Sequence, residues 1–188
     1  MKKLVINLER RSDRKNHFIE NNKSLTDYEF LEAVDGKEIF YNDLINMGLD
    51  TDKSWRDPFH NRKLTHGEVG CLLSHFRAWA RVAEQDEPMM IIEDDAIVLE
   101  NYDEQYYESL TEDYDLIYLQ RNENQPEHVA VIDAVIETPS YPYNLTAYIL
   151  TPEGAKTLVG TNILQNIIPA DEYVPNMINQ IKTCALKE

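Results

Sequence analysis

The sequence predicts an α/β fold in which a mostly parallel sheet is flanked by helices, within a single domain spanning residues 1–188. Short apolar runs alternate along the chain with segments of helical period. Strands that alternate with helices in this way are typical of parallel sheets. A chain of 188 residues is also long enough to bury a substantial core in one domain.

The strands are predicted from short runs rich in apolar residues. Lys3–Leu8 indicates a buried first strand, and Glu29–Val34 indicates a second that ends at the turn dipeptide Asp35-Gly36. Met89–Ile92 is wholly apolar and is predicted to form a third strand. Further strands are predicted at Leu116–Leu119, Val129–Ile136 and Leu145–Leu150.

The helices are predicted from period and capping signals. The clearest one follows Thr65, which has capping-box spacing to Glu68 and precedes an apolar stripe of helical period. Thr151 and Pro152 begin a later helix, which Gly160 ends. The other helices are predicted at Ser12–Asn21, at Tyr41–Met47 and from near Asp171 onward.

Composition excludes several classes of partner and location. A net charge of −16 argues against nucleic acid, because a phosphate backbone would be repelled, and against anionic membranes. No window approaches the length of a transmembrane segment, and the Leu4–Leu8 tract is too short for a signal peptide. The two cysteines, Cys71 and Cys184, do not indicate a disulfide framework. We therefore expect a cytoplasmic protein.

Three consecutive acids, Glu93, Asp94 and Asp95, follow the buried strand Met89–Ile92. Ligands of α/β sheets bind at the carboxyl ends of strands, and a cation would relieve the repulsion between these carboxylates. Continued alternation would place Glu93 and Asp95 on one side and turn Asp94 away. Oxygen ligands favour Mg²⁺ or Mn²⁺. The alternative is a solvated strand end or a helix N-cap without a metal.

Four basic residues follow the first strand: Arg10, Arg11, Arg14 and Lys15. Arginine suits phosphate oxygens, so a diphosphate between this segment and the acids is one interpretation; a solvated face is the other. A phosphotransferase of the haloacid dehalogenase type would need an aspartate just after the first strand, where this chain reads Asn7-Leu8-Glu9-Arg10. His75 is predicted to be a semi-buried helix residue, and Asp171 either caps its helix or is catalytic. The acidic run Asp103–Asp115 is predicted to be a solvated helix face.

Seven segments, in this order, resemble glycosyltransferase family 25, the lipooligosaccharide and procollagen galactosyltransferase family. They are INLERRSDR, FLEAVDGKEI, LTHGEVGCLLSHFRAW, MMIIEDDAIV, YDLIYL, TAYILTPEGAKTLV and IPADEYV. The resemblance implies a GT-A-like fold and an inverting transfer of galactose or glucose from a UDP-sugar. The acceptor would be a hydroxyl of a glycan, of lipopolysaccharide or another lipid-linked saccharide, or of a protein.

The resemblance also implies roles for individual residues. Glu93 and Asp95 would hold Mn²⁺ or Mg²⁺ on the donor diphosphate, where the ion stabilises charge on the leaving UDP. Asp171 would be the general base. The nucleotide-sugar site would include Asn7, Arg10, Arg11, Arg14, Asp35, Gly36, Ser74, His75 and Asp94.

The chain departs from the family pattern near its end. It ends soon after Asp171, and no histidine follows His128, so the late histidine ligand of many GT-A enzymes is absent. The alternative expectation is therefore a degenerate family member that binds a sugar nucleotide or a glycan without turnover.

Overall fold

The computed structural model describes residues 1–99, 102–119, 130–131, 136–138 and 144–186. Its strands are β1 (Lys2–Asn7), β2 (Tyr28–Glu32), β3 (Met89–Glu93), β4 (Leu116–Tyr118), β5 (Ala130–Val131), β6 (Ile136–Thr138), β7 (Ala147–Leu150) and β8 (Thr183–Leu186). Its α-helices are α1 (Ser12–Asn21), α2 (Tyr41–Asn46), α3 (His66–Ala83), α4 (Glu104–Ser109), α5 (Pro152–Val159) and α6 (Ala170–Asn176). Short 3₁₀ turns occupy Gly36–Glu38, Leu110–Glu112 and Ile163–Gln165.

The described strands form one eight-stranded sheet in the order β2-β1-β3-β7-β4-β8-β6-β5. β1 is parallel to β2 and β3, and β4 is parallel to β8, whereas β7 runs antiparallel between β3 and β4. β6 is antiparallel to both β5 and β8. The predicted α/β class is confirmed, but the sheet is mixed rather than mostly parallel. The direction of β7 depends on the path of the chain from β4, which local composition does not encode.

Most of the predicted helices and strands begin and end within two residues of the predicted positions. The capping box is confirmed: Thr65 Oγ1 accepts from the Glu68 N–H at 3.2 Å, and Glu68 accepts from the Thr65 N–H at 2.8 Å. Of the predicted strand Val129–Ile136, only residues 130, 131 and 136 lie in the described ranges, and they belong to β5 and β6. In those ranges, no helix combines the length and the apolar character needed to cross a membrane.

The central strand β3 is buried on both faces, which explains its continuous apolar sequence. Ile91 packs on the side of α3 and α5 with Leu72 and Trp79. Met90 and Ile92 pack on the other side, with Phe18 of α1. The alternation of side chains along the strand therefore divides the core into two layers, and β3 delivers Glu93 to the edge of the sheet.

Helix α3 approaches the turn after β2 so closely that two glycines are required. A Cβ on Gly70 would lie 2.7 Å from both Gly36 N and Val34 O, and a Cβ on Gly36 would lie 2.0 Å from His66 O. These are backbone atoms, which cannot move aside cheaply. The contact places the 34–36 turn beside the carboxyl ends of β1 and β3.

Candidate active site

A cleft of about 280 Å³ lies where the carboxyl ends of the parallel strands β1 and β3 meet the 34–36 turn and α3. Nine of the twelve candidate residues from the sequence line it. They are Arg10, Arg14, Asp35, Gly36, Ser74, His75, Glu93, Asp94 and Asp95. Asn7, Arg11 and Asp171 are not among its lining residues.

The acid cluster is arranged differently from the predicted alternation. β3 ends at Glu93, and the Ala96 N–H donates to Glu93 O at 3.1 Å, so Asp94 and Asp95 lie in a turn. Strand alternation no longer applies there. Asp94 is buried and accepts a hydrogen bond from Asn7 Nδ2 at 2.6 Å. The expectation that Asp94 turns away was wrong, because the chain leaves the extended conformation at that residue.

Arg14 neutralises two of the three acids. Its Nη2 lies 2.5 Å from Asp94 Oδ1 and 2.5 Å from Asp95 Oδ2. The Asp95 side chain is 58% exposed, whereas that of Asp94 is 7% exposed. Burial raises the pKa of Asp94, although Asn7 and Arg14 act to lower it. The arginine therefore holds one buried and one accessible carboxylate at the cleft.

The other two predicted arginines have separate partners. Arg10 pairs with Asp35 at the cleft, and its hydrogen bond is the main cause that lowers the pKa of Asp35. Arg11 donates to Asp13 through two bonds of 2.8 Å, and this contact lowers the pKa of Asp13 to about 2. Arg10 and Arg14 are thus the arginines of the cleft, and Arg11 is occupied outside it.

Ser74 has a structural task in the wall of the cleft. Its buried hydroxyl accepts from the Val34 N–H at 2.8 Å and donates to Gly70 O at 2.6 Å. These bonds tie the 34–36 turn to α3, on the same contact that Gly36 and Gly70 make. Ser74 therefore shapes the cleft through its two hydrogen bonds, and Gly36 does so through its close contact with α3.

His75 lies beneath the acids in a chain of buried polar groups. Its Nε2 is 3.2 Å from Glu93 Oε1, and its Nδ1 is 2.9 Å from the Tyr148 hydroxyl. Trp79 Nε1 donates to the same hydroxyl at 2.8 Å. Burial lowers the pKa of His75, but Tyr148, Cys71 and Glu93 raise it, and the net direction is upward. The predicted semi-buried helix histidine is fully buried and positions Glu93.

Asp171 lies in the first turn of α6, close enough to His75 and Glu93 for their charges to act on it. Pro169 occupies the N-cap position without a side-chain hydrogen bond, so Asp171 is not the helix cap. Burial is the largest cause that raises the pKa of Asp171, and Glu93 adds to it while His75 opposes it. The Leu145 backbone N–H also acts to lower its pKa. A carboxylate with a raised pKa is suited to accept a proton.

A second cavity, of about 940 Å³, adjoins the cleft and shares Asp95 with it. Tyr102, Tyr106 and Tyr107 line it, together with the exposed apolar side chains of Ile97 and Leu99. The rings of Tyr102 and Tyr107 stack with centroids 5.0 Å apart. Tyr102, Tyr107 and Tyr114 pack against the core. The acids Asp103, Glu108, Glu112 and Asp113 are exposed, so the predicted solvated helix face is confirmed on the outer side of this segment.

This α/β fold with acids at the end of a central strand is a GT-A-like glycosyltransferase fold. The model of "Glycosyltransferase family 25 (LPS biosynthesis protein)" matches residues 1–174, and the chain belongs to this family.

The chain is also similar to curated relatives over nearly all of its length. It is 35% identical to a glycosyltransferase 25 family member of Aedes aegypti, with 93% of this chain and 30% of that protein aligned. It is 32% identical to human procollagen galactosyltransferase 2 (98% of this chain, 31% of that protein). Human inactive glycosyltransferase 25 family member 3 is also 32% identical (94% and 31%). The chain thus spans less than a third of the length of these relatives.

Proposed function

We propose that this chain transfers a hexose, galactose or glucose, from a UDP-sugar to an acceptor hydroxyl with inversion, and that it requires Mn²⁺ or Mg²⁺. The acceptor would belong to a glycan, to lipopolysaccharide or another lipid-linked saccharide, or to a protein. The observation that carries the proposal is the single cleft in which Arg10 and Arg14 meet Glu93, Asp94 and Asp95. The similarity to a procollagen galactosyltransferase favours galactose as the transferred sugar.

The charge of the cleft explains why a cation would be needed. Its described lining carries three basic side chains, Arg10, Arg14 and Lys37, against four acids. A diphosphate alone would add two negative charges beside these four carboxylates, and the repulsion would oppose binding. A divalent ion would offset those two charges.

Glu93 and Asp95 fit such an ion by their chemistry. Both line the cleft and offer the carboxylate oxygens that Mn²⁺ and Mg²⁺ prefer. Asp95 is exposed enough to exchange its contact with Arg14 for a cation. Arg14 could then donate to a phosphate oxygen while keeping its contact with Asp94. When bound, the ion would supply positive charge to the leaving diphosphate.

Asp171 is the proposed general base. Its carboxylate lies near enough to Glu93 and His75 to feel their charges, without lining the nucleotide cleft. In this proposal it takes the proton of an acceptor hydroxyl and does not hold the donor. The tyrosine-lined cavity, which joins the cleft at Asp95, is the proposed acceptor side. Its apolar rings and carboxylates are the mixed surface that a saccharide requires.

A second candidate function is binding of a sugar nucleotide without turnover. One relative of similar identity is named inactive, which favours this candidate. Release of UDP from UDP-galactose and UDP-glucose separates the two functions. The proposed enzyme releases UDP in the presence of Mn²⁺, whereas a binding protein retains the intact donor.

A matched pair of variants tests whether the cleft holds the diphosphate. Arg14→Gln removes a cleft arginine, and Arg11→Gln removes a neighbouring one that pairs with Asp13 outside the cleft. We expect UDP affinity to fall by about tenfold or more in Arg14→Gln, since a charged hydrogen bond contributes roughly 1.5–3 kcal/mol. Arg11→Gln should bind UDP like wild type. Equal losses in both variants would contradict the assignment.

A further inference from the structure

Three side chains of different ligand chemistry meet at the floor of the cleft: Cys71, His75 and Glu93. One ligand atom from each lies within 4.8 Å of the other two. Cys71 and His75 are four residues apart on α3 and so share one face of the helix, while Glu93 is the last residue of β3. In the part of the chain that the structure describes, this is the one group of three His, Cys, Asp or Glu residues with such spacing.

We infer that Cys71, His75 and Glu93 form a binding site for a transition-metal ion of the zinc class. Sulfur and imidazole ligands favour zinc and cobalt over Mg²⁺ and Mn²⁺, so this ligand set differs in chemistry from that of Glu93 and Asp95. Three protein ligands leave a fourth position of a tetrahedral ion open to the cleft. Binding would displace the thiol proton of Cys71 and the proton that His75 Nε2 shares with Glu93, and both would pass to solvent.

The distances suit a tetrahedral ion. Zinc bonds of about 2.0–2.3 Å place two ligand atoms of a tetrahedral ion roughly 3.3–3.8 Å apart. His75 Nε2 and Glu93 Oε1 are 3.2 Å apart, close to this separation. The sulfur of Cys71, within 4.8 Å of both, needs to approach by about 1.3 Å at most. Cys71 is only half-buried, so a rotation of its side chain can provide this.

The neighbours of His75 hold its imidazole ring with Nε2 facing the proposed ion position. An ion on Nε2 places the ring hydrogen on Nδ1, where the Tyr148 hydroxyl oxygen, 2.9 Å away, accepts it. Trp79 Nε1 donates to the same oxygen at 2.8 Å and holds Tyr148 in place. A supporting partner of this kind typically changes metal affinity by about 10–100-fold. His75, Tyr148 and Trp79 are all buried, so the imidazole ring cannot reorient freely.

Glu93 belongs to both ligand sets, which has a functional consequence. A zinc ion at this site would take Glu93 from the cation that accompanies the donor, and the two ions would compete. This consequence rests on the proposed function, whereas zinc binding itself does not.

Calorimetric titration of zinc chloride, without nucleotide, tests the site in wild type, Cys71→Ser, Asp95→Asn and Cys184→Ser. Cys184 is the matched control because burial raises the pKa of its thiol to about 12 and it lies outside the cleft. We expect one zinc ion per chain in wild type, Asp95→Asn and Cys184→Ser, and binding weakened by at least about tenfold in Cys71→Ser.

Cobalt provides a spectroscopic readout of sulfur ligation that does not depend on a variant. The wild-type Co²⁺ complex should show a thiolate charge-transfer band in the near ultraviolet, and Cys71→Ser should lack it. Absence of zinc binding in wild type, equal zinc affinity in Cys71→Ser, or a cobalt complex without that band would each overturn the inference.

Discussion

Asp171→Asn separates the chemical step from donor binding. The substitution removes the charge of the proposed base but keeps the size and shape of its side chain. We expect transfer to slow by about 10²–10⁴-fold, the usual contribution of a general base. This corresponds to about 2.7–5.4 kcal/mol of activation free energy. UDP affinity should not change, because Asp171 does not line the cleft.

The pKa of Asp171 also predicts how stability and rate depend on pH. Burial is the main cause that raises this pKa, so the folded state binds the proton more tightly than the unfolded state. Ionised Asp171 therefore reduces stability as pH rises through the folded pKa. Asp171→Asn should be at least as stable as wild type at pH 7, and its advantage should shrink in acid. Wild-type turnover should fall as pH drops through the same pKa.

The assay measures UDP release at saturating donor, UDP affinity by calorimetry, and unfolding in urea. Glu172→Gln is the matched control, since it removes an acid from the same helical turn and should retain turnover. Near-wild-type turnover in Asp171→Asn would refute the assignment of the base. Loss of UDP binding together with transfer would also refute it, because the residue would then belong to the donor site.

Three further predictions follow from single contacts. Asp95→Asn should abolish turnover yet change the free energy of unfolding by less than about 1 kcal/mol in urea, because its ion pair with Arg14 is largely exposed on the Asp95 side. Gly70→Ala should lower the free energy of unfolding by about 1–3 kcal/mol, since its Cβ would lie 2.7 Å from backbone atoms. Gly67→Ala is the control and should leave the free energy of unfolding unchanged, because the atom nearest to its Cβ would be 3.8 Å away. Zinc should weaken Mn²⁺-dependent UDP binding in wild type but not in Cys71→Ser, and equal weakening in both would point to another zinc site.

The cleft was predictable because its parts are local signals at strand ends. The arginines follow β1 and the acids end β3, and two adjacent parallel strands bring these ends together. The capping box of Thr65 likewise fixed the start of α3 within the sequence. The apolar run Met89–Ile92 is also a local signal, and it predicted the strand β3.

The partners within the site were not predictable, since they join residues far apart in the chain. Tyr148 contacts His75 across 73 positions, and no local pattern marks it. Arg14 and Arg11 look equivalent in sequence, yet only Arg14 reaches the acids from α1. The direction of the Asp94 side chain depends on the residue at which β3 ends. The strand ends at Glu93, and one further residue of strand would turn the Asp94 side chain to the opposite side.

Calorimetric titration of UDP in the presence of Mn²⁺, repeated with EDTA, tests most directly whether the acid cluster and Arg14 form a cation-dependent diphosphate site. We expect wild type to bind UDP with Mn²⁺ and to lose most of that affinity in EDTA, and Asp95→Asn to bind weakly under both conditions. UDP affinity that is the same with Mn²⁺ and with EDTA, or no binding under either condition, would contradict the proposed site.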